Sequence, residues 1–133
     1  MWNVIFVLIL TLTVMASPVL AGPYEDAEAA YARGDYTRAL TLFRLLAEQG
    51  DAKAQLSLGS MYDDGKGIPQ NHTEAVQWYR RAAEQGNVTA QGLLGFMYYF
   101  GTVVPQNYAE ALMWLRQGAQ QDDDSIQEFL GHI

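Results

Sequence analysis

Residues 61–71 read MYDDGKGIPQN and residues 97–107 read MYYFGTVVPQN, the same frame written twice. The offset is 36 positions, and Met-Tyr, Gly and Pro-Gln-Asn are kept while almost everything between them changes. Laying residues 53–88 on 89–124 extends the match to sixteen identities in thirty-six positions. Among them are Ala54, Gln55, Leu58, Gly59, Tyr62, Ala75, Trp78 and Arg80, each recurring 36 residues later. Ordinary compositions would give roughly two or three identities by chance. The chain is therefore a repeat protein, and its period is the first fact to fix.

The frame runs on in both directions. Upstream, Ala39, Arg44, Ala47, Gln49 and Gly50 precede Ala75, Arg80, Ala83, Gln85 and Gly86 by the same 36 residues. The segment YEDAEAAYARGDY, residues 24–36, fits when its loop is taken as five residues shorter, which sets Tyr31 opposite Tyr62. Downstream, Leu130-Gly131 falls on Leu94-Gly95, half-way through a further copy. The expected units are about 23–50, 51–86 and 87–122, with a terminal helix at 123–132.

Each unit reads as two antiparallel helices. Ala54, Leu58, Met61 and Tyr62 form one apolar stripe at helical spacing. Asp51, Asn87 and Asp123 stand where a side-chain oxygen caps a helix start. Gly65 and Gly101 follow the helix ends, where a left-handed residue closes the last turn at little steric cost. Pro69 and Pro105 stiffen the loops. The second helices open with Asn71 to Glu74 and Asn107 to Glu110, a capping-box spacing in which the glutamate is expected to bond back to the cap. Ala75, Trp78, Tyr79 and Ala82 then form the expected buried stripe. Gly59 and Gly95 lie inside helices, where Gly costs about 1 kcal/mol against Ala, so their recurrence predicts a tight backbone contact. Hairpins of this kind bury a core only through their neighbours, which predicts an all-α, short right-handed α/α superhelix.

Composition narrows the function. Half of the 133 residues are hydrophobic, enough for one small domain. The first 21 residues, MWNVIFVLILTLTVMASPVLA, carry no charged side chain and end in Val19-Leu20-Ala21 before Gly22. This reads as a signal peptide at 1–21, with only the terminal amine as its positive region, and the alternative is a retained anchor of short apolar span. Residues 22–133 then carry every charge, fifteen acidic against eight basic. An acidic domain without a Lys/Arg cluster excludes nucleic acid as the natural partner. There is no cysteine, so neither a disulfide nor a lipidated cysteine is available.

At these residues the sequence resembles the Sel-one-like repeat (SLR) family, a relative of the tetratricopeptide repeat. The pattern runs Ala54, Leu58-Gly59, Tyr62, Gly65, Gly67, Pro69, Asn71, Ala75, Trp78, Ala82-Ala83 and Gly86. The resemblance covers 53–124 well and 24–52 loosely, the latter with the Gly34-Asp35-Tyr36 turn of a tetratricopeptide unit. It implies a solenoid adaptor that holds other proteins, with some bacterial members exported, and hence a periplasmic or secreted protein. Another exported kind of member, rich in cysteine, has β-lactam binding or hydrolysis ascribed to it, so a cell-wall-related or β-lactam-binding hydrolase is the alternative. In the second copy Val103 replaces Gly67 and Gly118 replaces Ala82, and the loop there is expected to leave the usual conformation.

No residue pattern argues for catalysis, and no cofactor or metal is expected. His72 and His132 are the only histidines and lack metal-ligand spacing. The runs Asp63-Asp64 and Asp122 to Asp124 lack the alternating spacing of a calcium loop and read as helix-end charges or caps. The copies differ most where the first helix points away from its core: Ser60, Asp63 and Asp64 become Phe96, Tyr99 and Phe100. Such a swap makes a wet face adhesive. Either Ile126, Phe129, Leu130 and Ile133 cover these rings, or a protein or peptide does, with Met61, Met97, Gln55 and Gln91 at its margin. The half unit at the end is also a candidate surface for a homodimer, and no membrane contact is expected after signal removal.

Overall fold

The computed structural model describes residues 21–121 and 123–133; the expected signal segment, apart from Ala21, and Asp122 lie outside that range. Among the described residues seven helices follow one another: α1 (Pro23–Ala32), α2 (Tyr36–Glu48), α3 (Ala52–Asp64), α4 (His72–Glu84), α5 (Val88–Phe100), α6 (Tyr108–Ala119) and α7 (Asp124–Gly131). Among the described residues there is no strand. Extensive contacts all join consecutive helices, so the hairpins α1/α2, α3/α4 and α5/α6 stack in a row with α7 behind them. This is the linear logic of a solenoid.

The starts of the helices are set by the caps the sequence carries. Asp51 accepts from the Ala54 N–H at 2.8 Å, Asn71 from Glu74 at 3.0 Å, Asn87 from Ala90 at 2.9 Å and Asn107 from Glu110 at 3.1 Å. The reciprocal half of the capping box does not form. Instead the Asn71 N–H donates to the Tyr62 carbonyl at 2.8 Å and that of Asn107 to Tyr98 at 2.9 Å, tying each second helix to the end of the first. Gly65 and Gly101 close their helices at φ 67° and 68°. The expected departure of the second loop does not extend to the backbone direction at its substituted position: Val103 takes φ 66° where Gly67 takes 72°. A β-branched residue in that region is strained, and a bond from the Val104 N–H to the Thr102 carbonyl at 2.7 Å, which the first loop lacks, spans it.

The hairpins α3/α4 and α5/α6 each close over a glycine. A Cβ on Gly59 would lie 2.6 Å from Tyr79 Cε1 and 3.2 Å from the Ala75 carbonyl oxygen, and one on Gly95 would lie 2.5 Å from Leu115 Cγ. Tyr79 and Leu115 are equivalent positions, so the same seat takes a ring in one unit and an aliphatic branch in the next. The tryptophans do a different task from the one expected of a common buried stripe. Trp78 is half-buried against the preceding cluster of Ala27, Ala30, Phe43 and Leu58, with Arg81 over its ring at 4.6 Å. Trp114 is buried in the next cluster with Ala90 and Leu94. Each indole thus sits in a cluster shared between its own unit and the one before it. Leu58, Leu94 and Leu115 are wholly buried, each stabilising the fold by about 1.5–3 kcal/mol relative to exposure.

Candidate binding surface

The first helices of the units, α1, α3 and α5, face the same side, with α7 following in the same series. Across α3 this side opens into a groove of about 600 Å³. Its walls come from Glu28 and Tyr31 on α1 and Thr89 and Leu93 on α5, and its floor from Leu56, Ser57, Ser60 and Asp63 on α3, with Phe43 and Tyr79 reaching through from the second helices. No lysine or arginine is among these lining residues. Tyr24 bonds Ser57 at 3.2 Å and holds α1 against α3. Asp63 is fixed from two sides: His72 Nδ1 donates to Oδ1 at 2.5 Å and the Tyr79 hydroxyl to Oδ2 at 3.4 Å. Burial first, and then the Asp63 charge, push the Tyr79 phenol well above its ordinary value.

Over α5 the same side is aromatic. Phe129 of α7 packs edge-on against Phe96 and Tyr99, both at 5.0 Å, and against Phe100 at 6.2 Å, while Tyr99 also meets Tyr108 at 5.3 Å. The terminal helix does cover these rings, and it covers them only in part. Phe96 and Tyr99 are half-buried, whereas Phe100 and Tyr108 stay 59% and 55% exposed. Thr89, Leu93, Phe96 and Phe100 follow at helical spacing on α5, so the acidic groove and the ring cluster share one face.

The remaining candidates from the sequence lie elsewhere. Met61 is buried at 1% exposure, and Met97 is half-buried beside the second core cluster. Gln55 and Gln91 are not at the margin of a binding face but inside the fold. Gln55 Nε2 donates to the Ala47 carbonyl at 3.1 Å and its Oε1 accepts from Gln85 at 2.7 Å; Gln91 does the same with Ala83 at 3.1 Å and Gln121 at 3.0 Å. Each amide clasps one unit to the next, with both ends satisfied, which is what makes its burial tolerable. Both histidines are exposed, and Asp123 caps α7 through the Ile126 N–H at 3.1 Å. Among the described residues no group of three or more His, Cys, Asp or Glu is placed to hold a metal ion, and no helix is long and apolar enough to cross a membrane.

The acidic groove was missed in the sequence because its two carboxylates come from different units. Asp63 read as a solvated helix end, and Glu28 belongs to the copy whose shorter loop hides the alignment. The run Ser57, Ser60, Asp63 along α3 was the available signal.

Comparison with known proteins agrees with this architecture. The Sel1 repeat model matches residues 24–51, 52–87 and 88–123. The chain belongs to the Sel1 repeat family. A crystal structure of a Sel1 repeat protein from Oxalobacter formigenes is 34% identical with a TM-score of 0.76, covering 82% of this chain and 45% of that one. A protective antigen of uropathogenic Escherichia coli displaying an SLR fold is 31% identical with a TM-score of 0.75, covering 83% of this chain and 24% of its own. This chain thus spans less than half the length of either. Cysteine rich protein B of Helicobacter pylori, at 18% identity and a TM-score of 0.66 over 69% of each chain, shares the fold. A search of curated proteins returned no match. Sel1 repeat proteins are generally protein-interaction modules of a non-catalytic, scaffold type.

Proposed function

We propose that this Sel1 repeat protein is an exported, non-catalytic adaptor that holds a polypeptide segment along the face made by α1, α3 and α5. The observation that carries this reading is the half-exposed ring cluster of Phe96, Tyr99 and Phe100, on the same face as an open groove. Large amphipathic rings presented on a rigid helix give much contact area at little entropic cost, as in the anchors of protein interfaces. Export rests on the uncharged apolar stretch at residues 1–21. The half unit adds Ile133, 54% exposed, beside Leu130, and offers the same end for pairing of two copies.

The alternative of a cell-wall-related or β-lactam-binding hydrolase needs carboxylates sharing a groove, and Glu28 and Asp63 do share one. Asp63, however, already accepts from His72 and Tyr79, an arrangement that holds a carboxylate as acceptor rather than freeing it as an acid. The adaptor reading is tested by crosslinking the mature protein in an envelope extract, wild type beside Phe100→Asp. Phe100 is exposed enough for the change to leave melting unaltered, and the variant is expected to lose the crosslinked species. An identical crosslinking pattern with an unchanged melt would reject the site.

A further inference from the structure

The groove over α3 differs in kind from the ring cluster beside it. Its lining mixes the apolar side chains of Phe43, Leu56 and Leu93 with serine hydroxyls on α3, and the charged side chains among it, Glu28 and Asp63, are both carboxylates. Asp64 extends the same sign at the end of α3. The Asp63 carboxylate accepts from His72 and, at 3.4 Å, from Tyr79, which orients it, while 31% of its side chain stays exposed. An anionic groove between low-dielectric walls concentrates counter-charge, and the domain as a whole carries a net charge of −7. What would fill it is a cation on a long apolar stem.

Resting on the reading of this face as a polypeptide-binding surface, we propose that the groove seats a lysine or arginine side chain of the bound segment between Glu28 and Asp63, with the segment's next apolar side chains on Phe96 and Phe100. The stem packs on Phe43 and Leu93, which line the groove, and a guanidinium gains a ring face at Tyr31. Arginine suits the site best, because its planar fork can donate to both a carboxylate and a serine hydroxyl at once. The copies of the repeat divide the labour. The serines and aspartate on α3 select charge, and the rings at the matching positions of α5 supply adhesion. An acidic segment would meet like charge and is disfavoured.

The test uses three fluorescein-labelled twelve-residue peptides of one apolar pattern, with two shared positions occupied by Arg, by its neutral isostere citrulline, or by Glu. Fluorescence anisotropy is read on the mature wild type, on Glu28→Gln/Asp63→Asn and on Phe100→Asp, each with its melting curve. Two partly screened ion pairs give an expected preference of about tenfold for the Arg over the citrulline peptide at low salt, with weaker binding still for Glu. That preference should shrink as salt rises and vanish in Glu28→Gln/Asp63→Asn, while Phe100→Asp weakens Arg and citrulline peptides alike. Equal binding of the Arg and citrulline peptides to wild type overturns the proposal. If that equal binding is still weakened by Phe100→Asp, the adaptor reading survives and only the charge selection fails. Absence of binding by all three peptides also overturns the proposal, and the adaptor reading is then judged by the crosslinking comparison alone.

Discussion

Gly59→Ala tests the closure of the first full hairpin, and its sign depends on one neighbour. In a helix interior the change should stabilise by about 1 kcal/mol through propensity alone. Here the new methyl would stand 2.6 and 2.7 Å from Tyr79 Cε1 and Cδ1 and 3.2 Å from the Ala75 carbonyl oxygen. Ordinary carbon contacts lie near 3.5–4.0 Å. Tyr79 is 3% exposed and its hydroxyl is engaged with Asp63, so the ring cannot swing away. Overpacking of this order costs about 1–3 kcal/mol, which leaves Gly59→Ala net destabilising by about 1 kcal/mol. Removing the ring reverses the balance. Tyr79→Ala itself costs roughly 3–5 kcal/mol as a large-to-small core change, but adding Gly59→Ala to it should recover up to about 1 kcal/mol. Urea unfolding of wild type, both single variants and the double variant completes the cycle, with m-values compared to confirm that only stability changed. A coupling of about 2 kcal/mol is expected. The same penalty for Gly59→Ala in both backgrounds would refute the argument, for then Tyr79 is not what the glycine makes room for.

Gly118→Ala should behave oppositely: its Cβ would meet the Cδ1 end of Ile126, which can rotate, so thermal melting is expected to show no loss and up to about 1 kcal/mol of gain. A loss above about 1 kcal/mol would contradict this. Val103→Gly relieves a β-branched residue at φ 66°, worth about 1–2 kcal/mol, against an entropic loss of about 0.4–1 kcal/mol in the unfolded chain; a small rise in Tm is the expected result, and a fall would show the strain to be absent. For Tyr79 the folded pKa is raised above its ordinary 10.0 by burial and then by Asp63. Its contribution is therefore complete below pH 10 and is lost as pH rises toward the folded value, so Tyr79→Phe should move alkaline unfolding, followed by circular dichroism, to higher pH. No movement would mean the phenol does not limit alkaline stability.

The repeat, the caps and the helix-closing glycines were legible because each depends on a residue type at a fixed spacing. Gly59 and Gly95 even announced the close contacts they make. The identity of the residue pressed against them was not legible, since Trp78 and Tyr79 are adjacent and only the angle between packed hairpins decides which ring enters. Gln55 and Gln91 misled for a different reason. An amide reads as surface unless the carbonyl it will bond is known, and Ala47 and Ala83 offer theirs only after the hairpins have stacked. The ring cluster was visible as a substitution pattern, but its half-exposure depends on how far Phe129 reaches, which no spacing encodes. The acidic groove spans two units and could appear only in three dimensions.

Gln127 donates to the Ala119 carbonyl at 2.9 Å, repeating what Gln91 and Gln55 do one and two units earlier. Because each such tie involves only adjoining hairpins, copies can be gained or lost whole without stranding a buried amide in the interior. The protein is in this sense built from interchangeable links, and its length is free to drift while the pitch from one link to the next stays constant.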